Sequence, residues 1–173
     1  LHEAETTGRV QVDVAAVRTE FTLDKRTDIL RLMDTELVPA VGGRLMGHAQ
    51  IQLGDIDDAV IIARAEGVPA DAIAALYGPL PTDMALGTLT ASTRVAIAEE
   101  NLQTQLQWSL ADGDYPAQGQ LLLDQDVLTL QDTTVQIGGE PVALTGQLAA
   151  GNWQLALETT GFDLATLAPD VPG

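Results

Sequence analysis

Alternation of apolar and polar residues is the feature of this chain that most constrains its fold. It is clearest over Asn101–Ala111, where Leu102, Leu106 and Leu110 fall on one side of an extended backbone and glutamine or serine residues fall on the other. Side chains two positions apart share a face in a strand, whereas a helix groups them at three- and four-residue spacings. Similar runs recur between Gly, Asn and Asp turn residues. The sequence therefore predicts about a dozen short strands, mostly antiparallel because their connections are too short for crossovers.

Three segments break this period and are predicted to be short helices. Residues 27–37 and 70–77 carry aliphatic side chains at helical spacing, and the second segment stops at Gly78-Pro79. Residues 163–168 show the same spacing before Pro169. Thr27 or Asp28 is positioned to cap the first of these helices. Two or three short helices are thus expected beside the strands.

The helices take part in an internal repeat. Pro39 is followed by Gly43-Arg44-Leu45, and Pro79 is followed by Gly87-Thr88-Leu89, so that each predicted helix leads through proline into Gly-x-Leu at the start of a strand. The predicted units are 1–38, 39–82 and 83–173, the last being a double unit. Repeats of this kind stack because one copy cannot bury its own apolar face. We therefore interpret residues 1–173 as one fragment of a longer array.

Composition excludes several classes of function. A formal net charge of -17 repels nucleic-acid phosphates, and the chain has no cysteine and only His2 and His48. No catalytic residue, metal site or cofactor is predicted, and the chain is not expected to be an enzyme. Asp55, Asp57 and Asp58 offer three carboxylates for calcium, but they lack the twelve-residue ligand spacing of a calcium loop, so a solvated turn is favoured. With 46% hydrophobic residues, the chain should fold.

Several segments resemble the repeats of a known family, the TamB/AsmA-like intermembrane bridge proteins. The resemblance covers most of the chain from Gly43 onward. Within the family, the segments are most similar to the cyanobacterial branch, whose plastid relative is a large inner-envelope translocon component. It is carried by patterns of glycine, proline and aliphatic residues in a fixed order rather than by any single residue. These patterns are Gly67-Val68-Pro69-Ala70-Asp71-Ala72-Ile73-Ala74-Ala75-Leu76-Tyr77, Pro79-Leu80-Pro81, Leu86-Gly87-Thr88-Leu89, Gly119-Gln120-Leu121-Leu122-Leu123, Leu128-Thr129-Leu130, Val135-Gln136-Ile137-Gly138-Gly139, Thr145-Gly146-Gln147-Leu148 and Trp153-Gln154-Leu155.

The resemblance implies both an architecture and a setting. TamB-like proteins are anchored in the inner membrane, cross the periplasm and reach an Omp85-class outer-membrane barrel, here through regions outside this chain. They are implicated in phospholipid movement between membranes and in outer-membrane biogenesis. Their body is an elongated sheet folded lengthwise into a trough, the β-taco. We therefore expect a mainly β fold of this kind, located in the periplasm.

The apolar side of the strands is the candidate site. In an open trough these residues would bind phospholipid acyl chains, with about 0.8 kcal/mol for each buried methylene. The pattern alone also fits a closed sandwich core, in which the same side chains pack against each other. A scaffold that binds outer-membrane protein β-strands by strand addition during their translocation or assembly is the alternative function. The candidate lining residues are Ile51, Leu53, Val60, Ile62, Val95, Ile97, Leu102, Leu106, Trp108, Leu110, Leu121, Leu123, Leu128, Leu130, Val135, Ile137, Leu155 and Leu157.

Overall fold

The computed structural model of the chain describes residues 14–53, 58–75, 78, 84–98 and 101–159. These residues form one antiparallel sheet of ten strands in the order of the sequence. The elements are β1 Val14–Asp24, β2 Ile29–Pro39, β3 Arg44–Gln52, β4 Asp58–Pro69, α1 Ala70–Ala74, β5 Thr88–Ala98, β6 Asn101–Ala111, β7 Ala117–Asp124, β8 Val127–Ile137, β9 Glu140–Ala149 and β10 Asn152–Thr159.

The meander follows from short turns with left-handed residues. Gln125 turns between β7 and β8 with a φ of 54°, and Ala150 turns between β9 and β10 with a φ of 47°. Gly138 and Gly139 turn between β8 and β9 at φ values of 60° and 87°. Such turns match the right-handed twist of the flanking strands and return the chain at once to the neighbouring position. Each strand therefore pairs with its neighbour in sequence, as the short predicted connections imply.

Four strands carry a β-bulge, and the one in β1 lies between Val14 and Ala16, where two residues of β1 face one of β2. In β2 the register shifts between Leu32 and Thr35, with Asp34 at a φ of 47°. In β8 it shifts between Leu130 and Thr133, with Asp132 at a φ of 46°. In β4 the shift surrounds Gly67, which has a φ of 63°. Each bulge inserts one residue and increases the local twist, which helps a wide sheet to curl rather than remain flat.

The bulge in β2 explains why the predicted helix over 27–37 is wrong. The segment is a turn followed by β2. Leu30 and Leu32 lie on one side of the sheet, and the inserted residue then returns Thr35 and Leu37 to that same side. Leu30, Met33 and Leu37 are three and four residues apart and so mimic a helical stripe, although Met33 pairs with Glu20 on the other side of the sheet. Pairing of β2 with β1 on one side and with β3 on the other stabilises the strand over the helix.

The remaining predictions about elements have mixed outcomes. A short helix is confirmed after Pro69, although α1 is only Ala70–Ala74. The predicted helix at 163–168 lies outside the described residues. Ten strands are described rather than about a dozen, partly because Leu128–Leu130 and Val135–Ile137 belong to the single bulged strand β8. The repeat boundaries stay a prediction, although the first helix on which they rest is strand β2.

The connection from α1 to β5 is held at the edge of the sheet where β4 ends. The backbone N–H of Leu86 donates to Oδ1 of Asp71 at 2.8 Å, and the backbone N–H of Ala70 donates to the carbonyl of Gly87 at 2.8 Å. Gly87 has a φ of 77°, and a Cβ there would collide with the carbonyl of Ala111. Only glycine therefore fits at this start of a strand. Among the described residues, no helix combines the length and apolarity needed to cross a membrane.

No closed core exists within the described part of the chain. Its buried apolar residues are Ala49, Ala59, Val68, Ala70 and Val142, and none of its large side chains is fully buried. A sandwich of two packed layers would bury many leucines completely. The fold is thus a mainly β, trough-like open sheet with edges at β1 and β10, and the closed-sandwich alternative does not fit these residues.

Candidate functional site

The strand register assigns every strand residue to one of two faces. Leu106 lies opposite Thr93 on β5 and Leu121 on β7, and Leu121 lies opposite Leu130. Directly paired residues of antiparallel strands point to the same side, so these rows extend across the sheet. We call the side that carries Leu106 the apolar face. We call the other side, which carries Gln105 and Arg94, the polar face.

Most of the predicted lining residues share the apolar face. Leu53 lies just beyond the end of β3, and its backbone N–H donates to the carbonyl of Asp28 at 2.7 Å. The residues that the register places on the apolar face are Ile51, Val95, Ile97, Leu102, Leu106, Trp108, Leu110, Leu121, Leu123, Leu128, Leu130, Val135, Ile137, Leu155 and Leu157.

Val60 and Ile62 require a correction, because they lie on the polar face. Val60 pairs with Ala96, and Ile62 pairs with Arg94. The stretch from Ala59 to Ala63 is apolar at every position, so alternation alone does not indicate its inward side. Ile61, which pairs with Val95, occupies the apolar face in their place.

The apolar face also extends over β1 and β2, beyond the predicted lining residues. Phe21 pairs with Leu32, and Val17 pairs with Leu37. A helix over residues 27–37 would not place these side chains in the sheet, so the prediction of that helix excludes them. A usable signal is present in the sequence: Leu30-Arg31-Leu32-Met33-Asp34-Thr35 matches Leu128-Thr129-Leu130-Gln131-Asp132-Thr133 at leucine, leucine, aspartate and threonine. Both copies place the aspartate in the bulge of an even-numbered strand.

Four threonine hydroxyls on the apolar face form hydrogen bonds within the protein. The hydroxyl of Thr93 donates to the carbonyl of Gln105 at 3.0 Å, and that of Thr133 donates to the carbonyl of Gln131 at 3.0 Å. The Thr19 and Thr35 hydroxyls bond to each other at 2.8 Å. No charged residue pairs into this face between the ends of the described strands. The face therefore has few polar groups to fix a bound molecule in one place.

Small residues create a depression in the apolar face over β2 to β4. Gly47, Ala49 and Ala63 form its floor, and Leu32, Leu37, Leu45 and Ile61 stand around it. The depression has a volume of about 220 Å³. A methyl group or a methylene segment matches its shape and its apolar lining.

Trp108 packs on the apolar face above Gly119. A Cβ at position 119 would lie 3.1 Å from Cζ2 of Trp108 and closer still to Oγ1 of Thr133. Thr133 is only 3% exposed, so it cannot yield toward solvent. The indole N–H of Trp108 is buried and finds no hydrogen-bond acceptor among the described residues. The aromatic ring thus fills space left by glycine rather than presenting a donor to a ligand.

The apolar face is large for an uncovered surface. Nine strand spacings of about 4.8 Å, and strands of 11 residues such as β6 at about 3.3 Å per residue, give an area on the order of 1,500 Å². Apolar patches on ordinary monomers are about 300–600 Å². Exposure is greatest at the two edges, where Phe21 on β1 and Leu157 on β10 are each 69% exposed. A surface of this kind indicates a binding site.

Titratable groups do not converge on a reactive centre in the described part of the chain. None of its His, Asp or Glu residues forms a group of three that could hold a metal ion, and residues 54–57 of the acidic turn lie outside that part. At the β1–β2 turn, the backbone N–H of Arg26 donates to Oδ1 of Asp24 at 2.9 Å and lowers the pKa of Asp24. This carboxylate is fully exposed and stabilises a turn.

No protein-family model matches the chain, and no curated protein or solved structure matches it.

Proposed function

We propose that the chain is a non-enzymatic module of an intermembrane bridge, whose apolar face carries phospholipid acyl chains between membranes and so supports outer-membrane biogenesis. The single observation that supports this function best is an uncovered apolar face on the order of 1,500 Å². A surface of this size gains free energy when something apolar covers it, and acyl chains are apolar along their whole length.

The energetics favour a hydrocarbon occupant. Ten methylenes leaving water contribute about 8 kcal/mol, before the cost of ordering the chain. The hydroxyls of Thr19, Thr35, Thr93 and Thr133 are bonded within the protein, so an acyl chain does not displace a polar partner from them when it binds. The contact is consequently favourable without being tied to one position.

Transit suits this face better than storage does. Side chains at successive strands repeat every 4.8 Å or so, and the same aliphatic types recur from one strand to the next. An acyl chain that slides from Leu106 toward Leu121 and Leu130 exchanges one leucine contact for another. The free-energy differences between neighbouring positions are therefore small compared with the total, and the lipid can move along the face.

The proposal includes a periplasmic location, within a protein anchored in the inner membrane and reaching the outer membrane. An Omp85-class partner would meet regions outside this chain. Support comes from the resemblance to TamB-like repeats, with which a ten-stranded open sheet is consistent. The β-taco name and the continuation into a longer array are part of the same proposal.

Photocrosslinking tests the proposal. Benzoylphenylalanine replaces Leu106 on the apolar face or Gln105 on the polar face of the same strand, and each variant is irradiated with phospholipid vesicles. We expect lipid adducts by mass spectrometry at position 106 and none above background at position 105. Because the two positions are adjacent in β6, differences in expression or local stability are small between them. Equal lipid capture at both positions, or none at either, would contradict lipid binding by the apolar face.

A second function, uptake of a client β-strand, is favoured by the edge that β10 forms in the described sheet. Within the residues that the structure describes, Asn152–Thr159 pairs only with β9 and is exposed throughout. Trp153 and Leu155 are 55% and 58% exposed, and Leu155 lies on the apolar face. An incoming strand would bond to the backbone of this edge and cover these side chains. Capture of polypeptide rather than lipid at position 106, together with crosslinks along β10, would support this second function.

A further inference from the structure

β1 and β10 differ from the other strands in exposure. Every residue of these two strands is exposed, whereas each strand between them has half-buried or buried residues. Within the described residues, β1 pairs only with β2, and β10 pairs only with β9. Each of the two therefore has one outer edge, on which its backbone N–H and C=O groups lack a partner strand in that part of the chain. We call these the β1 edge and the β10 edge.

The hairpin turn before β10 determines which backbone groups lie on the β10 edge. Ala150 and Gly151 form a two-residue turn with φ values of 47° and 75°, so the closing residues Ala149 and Asn152 are a hydrogen-bonded pair. Such pairs recur at every second residue of an antiparallel ladder. The even-numbered residues of β10 therefore bond to β9, and the backbone groups of the odd-numbered residues point to the β10 edge.

A bond at the start of β2 assigns the β1 edge in the same way. The backbone N–H of Leu53 donates to the carbonyl of Asp28 at 2.7 Å, so the even-numbered residues at the start of β2 bond to β3 and the odd-numbered ones bond to β1. Ile29 pairs with Asp24, which assigns the even-numbered residues of β1 to β2. From residue 17 to residue 23, the backbone groups of the odd-numbered residues consequently point to the β1 edge.

The same odd-numbered residues carry the apolar side chains of both strands. Phe21 and Leu23 of β1 lie on the apolar face, as do Trp153 and Leu155 of β10. β1 and β10 run in opposite directions, because the ten strands alternate in direction. A second copy can therefore add its β1 edge to the β10 edge as an antiparallel neighbour. Its hydrogen-bonding groups then match, and both apolar faces lie on the same side of the joined sheet.

One register fits the side chains of the two edges. It places Arg18 opposite Glu158 and gives all eight residues of β10 a partner. A shift of one residue would mismatch the faces, and a shift of two in one direction would set Glu20 against Glu158. A shift of two in the other direction runs into the bulge between Val14 and Ala16. The facing pairs of the fitting register are Val17 with Thr159, Arg18 with Glu158, Thr19 with Leu157, Glu20 with Ala156, Phe21 with Leu155, Thr22 with Gln154, Leu23 with Trp153 and Asp24 with Asn152.

From this complementarity we propose that the β10 edge binds the β1 edge of a second copy of the chain. Arg18 also lies opposite Glu36 in its own sheet, so its guanidinium group would lie between two carboxylates. A joint between two β10 edges would instead set Glu158 opposite an uncharged residue and leave the β1 edge uncovered. Because the two edges differ, a joined pair still has one unused edge of each kind, and association continues head to tail.

The net charge of -17 opposes edge-to-edge association less than face-to-face association. Ten strands at about 4.8 Å spacing place most acids of two side-by-side copies tens of ångströms apart. Screening at physiological salt limits repulsion to about 8 Å. The joint would continue the apolar face from one copy to the next.

Disulfide trapping tests the joint, because the chain has no cysteine of its own. Thr22 and Gln154 would face each other on the polar face as a non-hydrogen-bonded pair, with a Cα–Cα distance of about 4.5 Å that a disulfide can bridge. A Thr22→Cys chain is mixed with an affinity-tagged Gln154→Cys chain and oxidised. The matched control replaces the second chain by tagged Ala156→Cys, which lies on the same face two residues away. We expect the first mixture to form the mixed disulfide at least tenfold faster than the control.

Analytical ultracentrifugation tests the head-to-tail assembly. We expect the weight-average mass of the unmodified chain to rise with concentration beyond that of a dimer. Leu155→Pro removes an N–H that points to the β10 edge and none that bonds to β9, so this variant should remain monomeric, whereas Leu155→Val should still associate. Circular dichroism checks that both variants retain the sheet, and the trapping result decides if the proline variant does not.

Three results would overturn the proposal. The first is a monomer at every concentration, and the second is a mass that stops at a dimer, as a joint between two β10 edges or two apolar faces would give. The third is equal trapping with Gln154→Cys and Ala156→Cys. None of these measurements involves lipid, so their failure is distinguishable from failure of the proposed lipid transit.

Discussion

Two identical tripeptides in this chain should differ strongly in how much the same substitution destabilises the protein. Gly119-Gln120-Leu121 in β7 and Gly146-Gln147-Leu148 in β9 both place glycine in mid-strand on the apolar face. Both glycines lie outside the left-handed backbone region, so alanine fits either backbone. What differs is the neighbour of the missing side chain.

At Gly119 an added methyl group has no room. Its Cβ would lie 3.0 Å from Cβ of Thr133 and 3.1 Å from Cζ2 of Trp108, and Thr133 is buried with its hydroxyl bonded to the carbonyl of Gln131. Overpacking of this kind costs about 1–3 kcal/mol. At Gly146 the Cβ would lie 2.5 Å from Cδ2 of Leu155, a methyl group at the end of an exposed side chain that can rotate away. It would also lie 3.0 Å from the backbone oxygen of Gln154 on the neighbouring strand β10, which has to move by a few tenths of an ångström. There the steric cost is offset by the ~0.5–1 kcal/mol gained when glycine leaves a strand interior.

Urea denaturation followed by circular dichroism measures the difference. We expect Gly119→Ala to lower the free energy of unfolding by about 2 kcal/mol and Gly146→Ala to change it by less than about 0.5 kcal/mol. With a urea m-value of about 2 kcal/mol per molar, the two midpoints should differ by roughly 1 M. Adding Thr133→Ala to Gly119→Ala should recover about 1 kcal/mol relative to additivity, since the two residues are in contact. Equal midpoints for the two alanine variants, or strict additivity in the cycle, would refute the packing of Trp108 over Gly119.

Three further measurements address other features of the described structure. Asp132→Gly should raise the free energy of unfolding by about 0.5 kcal/mol, because glycine removes the left-handed backbone strain at the bulge. As a control in the same strand and the same urea titration, Gln131→Gly should lower the free energy of unfolding by about 0.5–1 kcal/mol. Trp108→Phe should change the free energy of unfolding by less than about 1 kcal/mol, because the loss of ring area is offset by removal of a buried N–H without an acceptor. A loss of more than about 2 kcal/mol would show that this N–H is bonded. In an NMR titration, Asp24 should have a pKa below its ordinary value of 3.8. The stability that its carboxylate contributes is therefore present above pH 3.8 and is lost as the pH falls through the lowered pKa. A pKa at or above 3.8 would contradict the hydrogen bond from the Arg26 backbone N–H.

Strand identity could be predicted wherever one face is apolar and the other polar. Asn101–Ala111 is predicted and observed with the same bounds, because glutamine and leucine alternate there without interruption. The same signal fails in two physical situations. In the first, a bulge such as the one at Asp34 adds one residue, so the apolar positions change from even to odd numbers within the strand. In the second, a strand is apolar on both faces, as from Ala59 to Ala63, and alternation does not indicate which residues face the apolar side of the sheet. The misassigned helix over 27–37 and the misplaced Val60 and Ile62 each follow from one of these two situations.

The openness of the candidate site could not be predicted from the pattern. Leu106 would alternate with glutamine in the same way whether its face met a second sheet or solvent. Only the pairing of each strand with its neighbours, and the near absence of fully buried side chains in the described residues, distinguishes an open sheet from a sandwich. The resemblance to repeat proteins indicated the open form, because residues that depend on neighbouring repeats do not close a core of their own.

The charge of the chain bears on which occupant covers the apolar face. A second copy would bring another -17 charge against the first when the two faces meet, and screening over about 8 Å reduces but does not abolish that repulsion across two thin sheets. Acyl chains bury the same leucines without adding any charge. The acids that create this preference lie largely at turns and strand ends, such as Asp24, Asp112, Asp124 and Glu140, and so border the face without interrupting it. The distribution of charge thus supports the proposed hydrocarbon occupant over self-association through the apolar face.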